Sequence, residues 1–380
     1  MQPACVGILW DAGCCHLGDG ETSPAGMGYV GIGISRLVCL RQTNMKSLAS
    51  WWAKPVVRWG VGIAIGALSL YLALQNISWP EVMAAFKQAD WLYMGLALLS
   101  VIVGAGAKVI RWRVLMGVNG QRVTFIRLLM SHMAGQSLNM LYPARAGDLS
   151  RVYVIGKLGI SRMFVLGTVI LEKLWDMFSY ALVFLLLLLL IPLPGWVSES
   201  AYGVIAITLI FFVASFVVSY QRAAVVHLTE WLIKWLPERF HGRFIERVQA
   251  GLKSLNVLQS RKDLLKLTFW STVVWGTAVL NIHLVLLALR LRLPLTASVL
   301  ILVALQAGIS LPTTPGRLGI FQYICVLTLS FYRVDQALAF SYSILLHSVA
   351  LLTVLLSGLV CAWVLGLVGQ KQIHQRYLYG

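Results

Sequence analysis

The 380-residue chain is 59% hydrophobic and only 12% charged, and its 31 Lys+Arg against 14 Asp+Glu give a formal net charge of +17. A soluble domain carries about 25% charged residues, so this composition excludes a soluble globular protein and points to an all-α polytopic membrane protein. The basic excess is spread over loops, as the positive-inside rule expects; recognition of anionic lipid headgroups is a compatible second cause, and no nucleic-acid-binding module is visible.

Residues 1–44 hold four of the six cysteines, show weak periodicity and contain no long apolar run. They read as a disordered or artefactual extension. Met45 begins a natural start, with basic residues and the interfacial pair Trp51 and Trp52 ahead of a span. No cysteine pair has zinc-ligand spacing, and neither a disulfide framework nor a cofactor is expected.

Six spans are predicted, at about 56–76, 91–110, 163–192, 202–220, 267–289 and 337–367. Residues 77–90 form a short polar connection. Residues 128–142 are apolar but short for a span, and break at Pro143. With 149–160 as a second arm they form a broken hairpin that the sequence leaves open as re-entrant. Span three, 163–192, would be ~45 Å long and must tilt, kink or protrude. The stretch 221–266 carries nine Lys/Arg. Its helical pattern at Phe244, Ile245, Val248, Leu252 and Leu255 predicts amphipathic helices on the membrane surface. A second short pair, 294–311 and 320–332, surrounds the break LPTTPGRLG. Residues 369–380 form a basic tail.

Sorting the loops onto two sides puts 19 basic residues in 111–127, 143–162, 221–266 and 369–380, against 5 in 77–90, 193–201 and 290–336. The first side is therefore expected in the cytoplasm, with both termini, in a multi-pass cell-membrane protein. Each half has two spans, a broken hairpin and a long span. Three crossings per half invert the second repeat (193–368) relative to the first (45–192), an architecture common in transporters.

The densest chemistry lies between Asn139 and Asp176. A polar turn with Arg145, Asp148 and Arg151 follows the break at Pro143, and Glu172, Lys173 and Asp176 lie inside the next apolar span. Ionisable residues within a span mark a functional site by default. The arginines suit a lipid phosphate through their planar fork, or they anchor a turn. Glu172 and Asp176 share a helix face, where they line a headgroup path, couple a proton, or hold the bundle together. Arg317 and Gln322, on the second hairpin, are the outward counterparts of Arg145, or a surface turn. His132, His283 and His347 read as interhelical hydrogen-bond partners, and tryptophans at span ends as an interfacial belt. No nucleophile–base set, phosphate loop or metal cluster is visible.

These motifs resemble the transmembrane region of lysylphosphatidylglycerol synthases, the flippase-like domain family. That family shows Pro-Arg-x-Gly-Glu-x-x-Arg in its first half. Here Pro143-Ala144-Arg145-Ala146-Gly147-Asp148-Leu149-Ser150-Arg151 has one inserted residue and Asp148 for Glu. Glu172-Lys173-Leu174-Trp175-Asp176 matches the family's Glu-Arg/Lys-x-x-Asp. Its second-half motif, Pro-Gly-Gly-x-Gly-x-x-Glu, reads Pro315-Gly316-Arg317-Leu318-Gly319-Ile320-Phe321-Gln322, with Arg317 for Gly and Gln322 for Glu. The resemblance covers roughly residues 50–368. It implies a lipid translocase acting on anionic or phosphate-bearing lipids, with Arg145, Asp148, Arg151, Glu172, Asp176, Arg317, Gln322 and Asn139 as substrate-binding residues. The synthase domain that follows in full-length members is not expected, so the chain reads as a transporter rather than an enzyme. The alternatives are a transferase, or a membrane partner that presents a lipid-linked substrate such as a polyprenyl-phosphate sugar to a membrane-associated glycosyltransferase. An early loop with only Glu81 and Asp90 argues against the transferase.

Overall fold

A computed structural model describes residues 55–75, 77–142, 146–190, 195–233, 241–309 and 314–379. The chain divides into Met1–Val57 and Arg58–Gly380, and everything below concerns the second unit. The expectations for 1–44 lie outside the described residues, which are helical and contain no strand.

In chain order the helices are α1 (Pro55–Leu74), α2 (Trp79–Gln88), α3 (Trp91–Leu115), α4 (Gly117–Gln121), α5 (Phe125–Leu141), α6 (Ala146–Gly156) and α7 (Arg162–Leu190). Then come α8 (Gly195–Tyr220), α9 (Arg222–Ile233), α10 (His241–Leu252), α11 (Arg261–Ala288), α12 (Leu295–Ile309), α13 (Ile320–Ser330) and α14 (Gln336–Tyr379). Among the described residues, four stretches are long and apolar enough to cross a membrane: α3, α7, α11 and Gln336–Gly366 of α14. A fifth is the pair Gly60–Leu74 and Trp79–Gln88, bent by 86°, taken as one span. The expected span at 202–220 falls in α8, where Ile205–Tyr220 is a shorter apolar helix.

Local chemistry sets the helix starts. Asp90 caps α3 by accepting from the Leu92 amide at 2.9 Å, and Ser260 caps α11 through the Asp263 amide. Asp335 accepts from the Ala337 and Leu338 amides at the start of α14. Each satisfies amides that the first helical turn leaves without intrahelical partners.

The antiparallel pair α3 and α11 forms the spine. Asn281 donates to the Ala97 carbonyl at 2.9 Å, Gly104 approaches Thr277, and Arg111 reaches Ser271 at 3.4 Å. The order 97, 104, 111 against 281, 277, 271 fixes the opposed directions. Two apolar cores sit at opposite ends of this spine. One joins Met94 and Ala97 of α3 to Ile282 and Val285 of α11, Ile301 and Leu305 of α12, Cys325 of α13 and Tyr342 of α14. The other joins Val109, Trp112 and Leu115 of α3 to Leu128 of α5, Ile155 of α6, Val165 and Leu171 of α7, and Leu267 of α11.

Each broken pair packs within itself, α5 on α6 and α12 on α13. Each also packs on the long helix of the other half: α5 on α14, and α12 on α7. The second break lies against Leu351, about 22 Å along α14 from its start, and against Gly66 within α1. The turn Pro315–Arg317 contacts α5. Large apolar side chains, including Leu186 and Leu189 of α7 and Leu356, Val360 and Trp363 of α14, face outward, as a lipid-facing surface requires.

The second break depends on glycine. Gly316 and Gly319 have φ of 69° and 88°, and a Cβ on Gly319 would overlap the Gly66 carbonyl oxygen. Gly319→Ala should therefore lower the melting temperature by roughly 5 °C, while Gly276→Ala, which meets open space in α11, should not lower it. Thermal melting of detergent-purified protein checks this; equal melting of the two variants would contradict the packing.

Candidate functional site

The site gathers where α3, α5, α6 and α7 meet. Arg151 of α6 is fully buried and donates through Nη2 to Glu172 Oε2 of α7 at 2.8 Å. Its guanidinium lies 4.0 Å from the centroid of the Trp112 ring of α3. Trp112 in turn donates its indole N–H to Thr168 Oγ1 at 3.1 Å. Arg111 of α3, also fully buried, lies 2.6 Å from Asp176 Oδ1 and 4.0 Å from Glu172 Oε1. Asp148, at the start of α6, is 3.7 Å from Arg151 Nη1 and 3.7 Å from Lys173 Nζ, and accepts from Asn139 Nδ2 at 3.2 Å.

The local fold explains how these groups meet. Glycine lets α5 and α6 touch: a Cβ on Gly147 would overlap the Gly135 carbonyl oxygen. That approach sets Asp148 beside Asn139 and turns Arg151, one helical turn later, under α7. Residues 172 and 176 are one turn apart on α7, so the two carboxylates face the same neighbours. Each finds its own guanidinium, Glu172 with Arg151 and Asp176 with Arg111.

The charges are not matched. Arg111, Arg151, Lys173 and the half-buried Lys108, one turn before Arg111, stand against Asp148, Glu172 and Asp176. Among the described residues, one positive charge is in surplus. Arg111 Nε and Arg151 Nε and Nη1 donate no hydrogen bond among the described residues, nor do His132 Nδ1 and Ser131 Oγ have a partner there. Asp176 is 33% exposed, so the network has one open edge. Such an arrangement can offer cationic donors to an anion while its carboxylates keep the arginines in place.

Of the residues singled out in the sequence, Asn139, Asp148, Arg151, Glu172 and Asp176 are brought together here. Arg145 lies outside the described residues. Gln322 is elsewhere. Its Oε1 accepts from the Gly319 amide at 2.8 Å, and its Nε2 lies 3.0 Å from His347 Nδ1, which stacks on Phe321. Arg317 is in the turn that contacts α5, with φ of 62°. His283 pairs with Ser298 at 3.1 Å, as expected of an interhelical histidine.

Sequence reasoning missed Arg111 and Trp112. The sequence ends the span at 110 and places Arg111 in the following loop, but α3 continues to Leu115 and carries it into the bundle. Trp112, just past the expected end of its span, is buried in the core, so the interfacial-belt reading does not hold for it. The available signal was the spacing of Lys108 and Arg111, one turn apart inside a helical pattern.

The sequence matches the family described as "Lysylphosphatidylglycerol synthase TM region" over residues 59–358. It is 24% identical over 294 residues to a UPF0104 membrane protein of Methanothermobacter thermautotrophicus, covering 73% of this chain and 86% of that one. It is 23% identical over 305 residues to a UPF0104 membrane protein of Pyrococcus horikoshii, covering 74% and 90%. A third such protein, from Methanocaldococcus jannaschii, is 25% identical over 233 residues, covering 60% and 93%. No solved structure matches the chain.

Breaking a buried ion pair from one side leaves an uncompensated charge and costs about 3–5 kcal/mol, whereas replacing both partners by apolar residues costs much less. Glu172→Leu should therefore destabilise strongly. The double variant Arg151→Leu/Glu172→Leu should melt well above the value that the two single losses would sum to. Additive losses in a double-mutant cycle would show that the pair is not coupled.

Proposed function

The chain belongs to the lysylphosphatidylglycerol synthase TM region family, and from that premise we propose that this integral membrane protein translocates a phosphate-bearing lipid headgroup across the bilayer. The observation that carries the proposal is the buried network of Arg111, Arg151, Glu172 and Asp176, which with the adjoining Lys108, Lys173 and Asp148 has one positive charge in surplus, and whose guanidinium N–H groups are not all donated among the described residues.

The physical problem is the headgroup. Its phosphate is charged, and moving such an ion into a low-dielectric interior costs several kcal/mol even after relaxation. Charge-assisted hydrogen bonds recover about 1.5–3 kcal/mol each. Arg111 and Arg151 already occupy the interior and are held by carboxylates, so they need no reorganisation to receive an anion. Asp148, Glu172 and Asp176 would take a cationic portion of the headgroup, and the acyl chains would stay in lipid along the outward apolar faces. Arg145, Arg317, Gln322 and Asn139 complete the proposed path.

The same reading takes the two broken pairs as re-entrant hairpins of inverted repeats. Three features support this. α12 and α13 both connect to the end of the bundle where α11 finishes and α14 starts. The packing of α5 on α14 mirrors that of α12 on α7. The turn of the second hairpin touches α5 of the first. With the basic loops in the cytoplasm, the hairpins would enter from opposite faces of a cell membrane and both termini would be cytoplasmic.

The test is lipid movement in proteoliposomes carrying fluorescent anionic, cationic and zwitterionic lipids, with Arg145→Ala alongside. Protein-dependent movement of phosphate lipids, lost in a folded Arg145→Ala variant, is the expected result. Folded protein that moves no lipid, yet co-purifies with a glycosyltransferase, would favour the presenting partner instead.

A further inference from the structure

We propose that the basic end of the bundle holds a second site, separate from the buried network, that takes the phosphate group of an anionic phospholipid from the adjoining leaflet. A cavity of about 970 Å³ opens there. It is built from three stretches that are far apart in the chain: the end of α3 with α4, the turn between α6 and α7, and the run from the end of α10 into α11. Its lining shares no residue with the Arg111–Glu172 network. Ile110 and Arg113 of α3 face the cavity, while Arg111 between them faces Ser271 and Asp176.

The lining has the two halves of an amphiphile's complement. Arg113, Lys253 and Lys266 supply positive charge, and Asp263, 3.5 Å from Lys266, is the one carboxylate lining it among the described residues. Two positive charges are therefore in surplus, and Lys253 is exposed to meet a ligand. Beneath them, Ile110, Val114, Phe164 and Val257 give an apolar wall. A free phosphate ion would leave most of this volume unfilled and the wall unused. A phosphate carried on glycerol and the first carbons of acyl chains fills both, and the volume is at the upper end of ligand pockets.

The neighbouring helix locates the site at headgroup depth. α10 leads directly into Lys253 and packs on α7. It leaves Phe244 44% exposed beside exposed Arg247, while Ile245 and Val248 are half-buried. An outward aromatic flanked by basic residues on an amphipathic helix is the composition of a segment lying in the bilayer interface. The site does not depend on whether any lipid crosses the membrane, because binding in one leaflet is enough to fill it.

The experiment uses the full chain in phosphatidylcholine nanodiscs doped with photoreactive phosphatidic acid. Cross-linked peptides are mapped by mass spectrometry, with photoreactive phosphatidylcholine as the neutral probe. Label is expected in 110–121 and 250–266 from phosphatidic acid only. The exposed-residue variant Lys253→Gln/Lys266→Gln should lower it about tenfold. Ser161→Trp, which fills the cavity from its rim, should lower it too, and folding of both variants is checked by thermal melting. Glycerol 3-phosphate that abolishes the label would assign the site to soluble phosphate esters and overturn the lipid source. Equal labelling by the neutral probe, or unchanged labelling in both folded variants, would overturn the site itself.

Discussion

A buried charge must be paired, and the membrane half of this molecule is arranged around that rule. Arg151 and Glu172 meet at 2.8 Å with almost no exposure. For that contact to exist, α6 must approach α5 closely enough to need glycine at 147, and α7 must carry its carboxylates inward. Trp112 must lie flat beneath the guanidinium, and it does so because Thr168 holds its indole N–H. Arg111 then ties α3, and through Ser271 the spine helix α11, to the same network. This one network thus ties together five helices, α3, α5, α6, α7 and α11.

The second half solves the same packing problem without charge. Gln322 stands where the family motif has Glu, and it turns to its own helix start and to His347. Both solutions use glycine for a close backbone approach, Gly147 to Gly135 in the first and Gly319 to Gly66 in the second. Among the described residues, buried guanidinium N–H groups without a hydrogen-bond partner belong to Arg111 and Arg151 of the first half. The cavity at the basic end adds a third environment, with cations above an apolar wall.

Much of this was legible in the chain. The breaks at 143 and 311–319 are Pro/Gly interruptions of segments too short to span, and the arms α5, α6, α12 and α13 fall within a few residues of the expected limits. Asp148, Arg151, Glu172 and Asp176 stood out because ionisable groups inside apolar segments are costly. Arg111 did not, since Lys108, Arg111 and Arg113 together look like the basic stop that ends a span on the cytoplasmic side. Helix α3 runs on to Leu115, and only three-dimensional packing separates Arg111, turned inward, from Arg113, which bonds the Gly120 carbonyl at the cavity. Trp112 departs from the interfacial-belt reading for the same reason: composition places tryptophan near an interface, but does not say which face of the helix carries it. The cavity was invisible because it joins three loops that the sequence could sort onto one side but not bring together.

The central claim is that the buried arginines serve a ligand's phosphate as well as the bundle. Arg151→Lys separates the two roles, because lysine keeps the charge next to Glu172 but lacks the planar fork that binds phosphate bidentately. The measurement is lipid movement per folded protein, with melting temperature recorded on the same preparation. A variant that melts within a few degrees of the parent and moves phosphate lipids at least about tenfold more slowly is the expected result. Movement at the parental rate would mean that Arg151 only holds the helices together, and the site would have to be sought elsewhere.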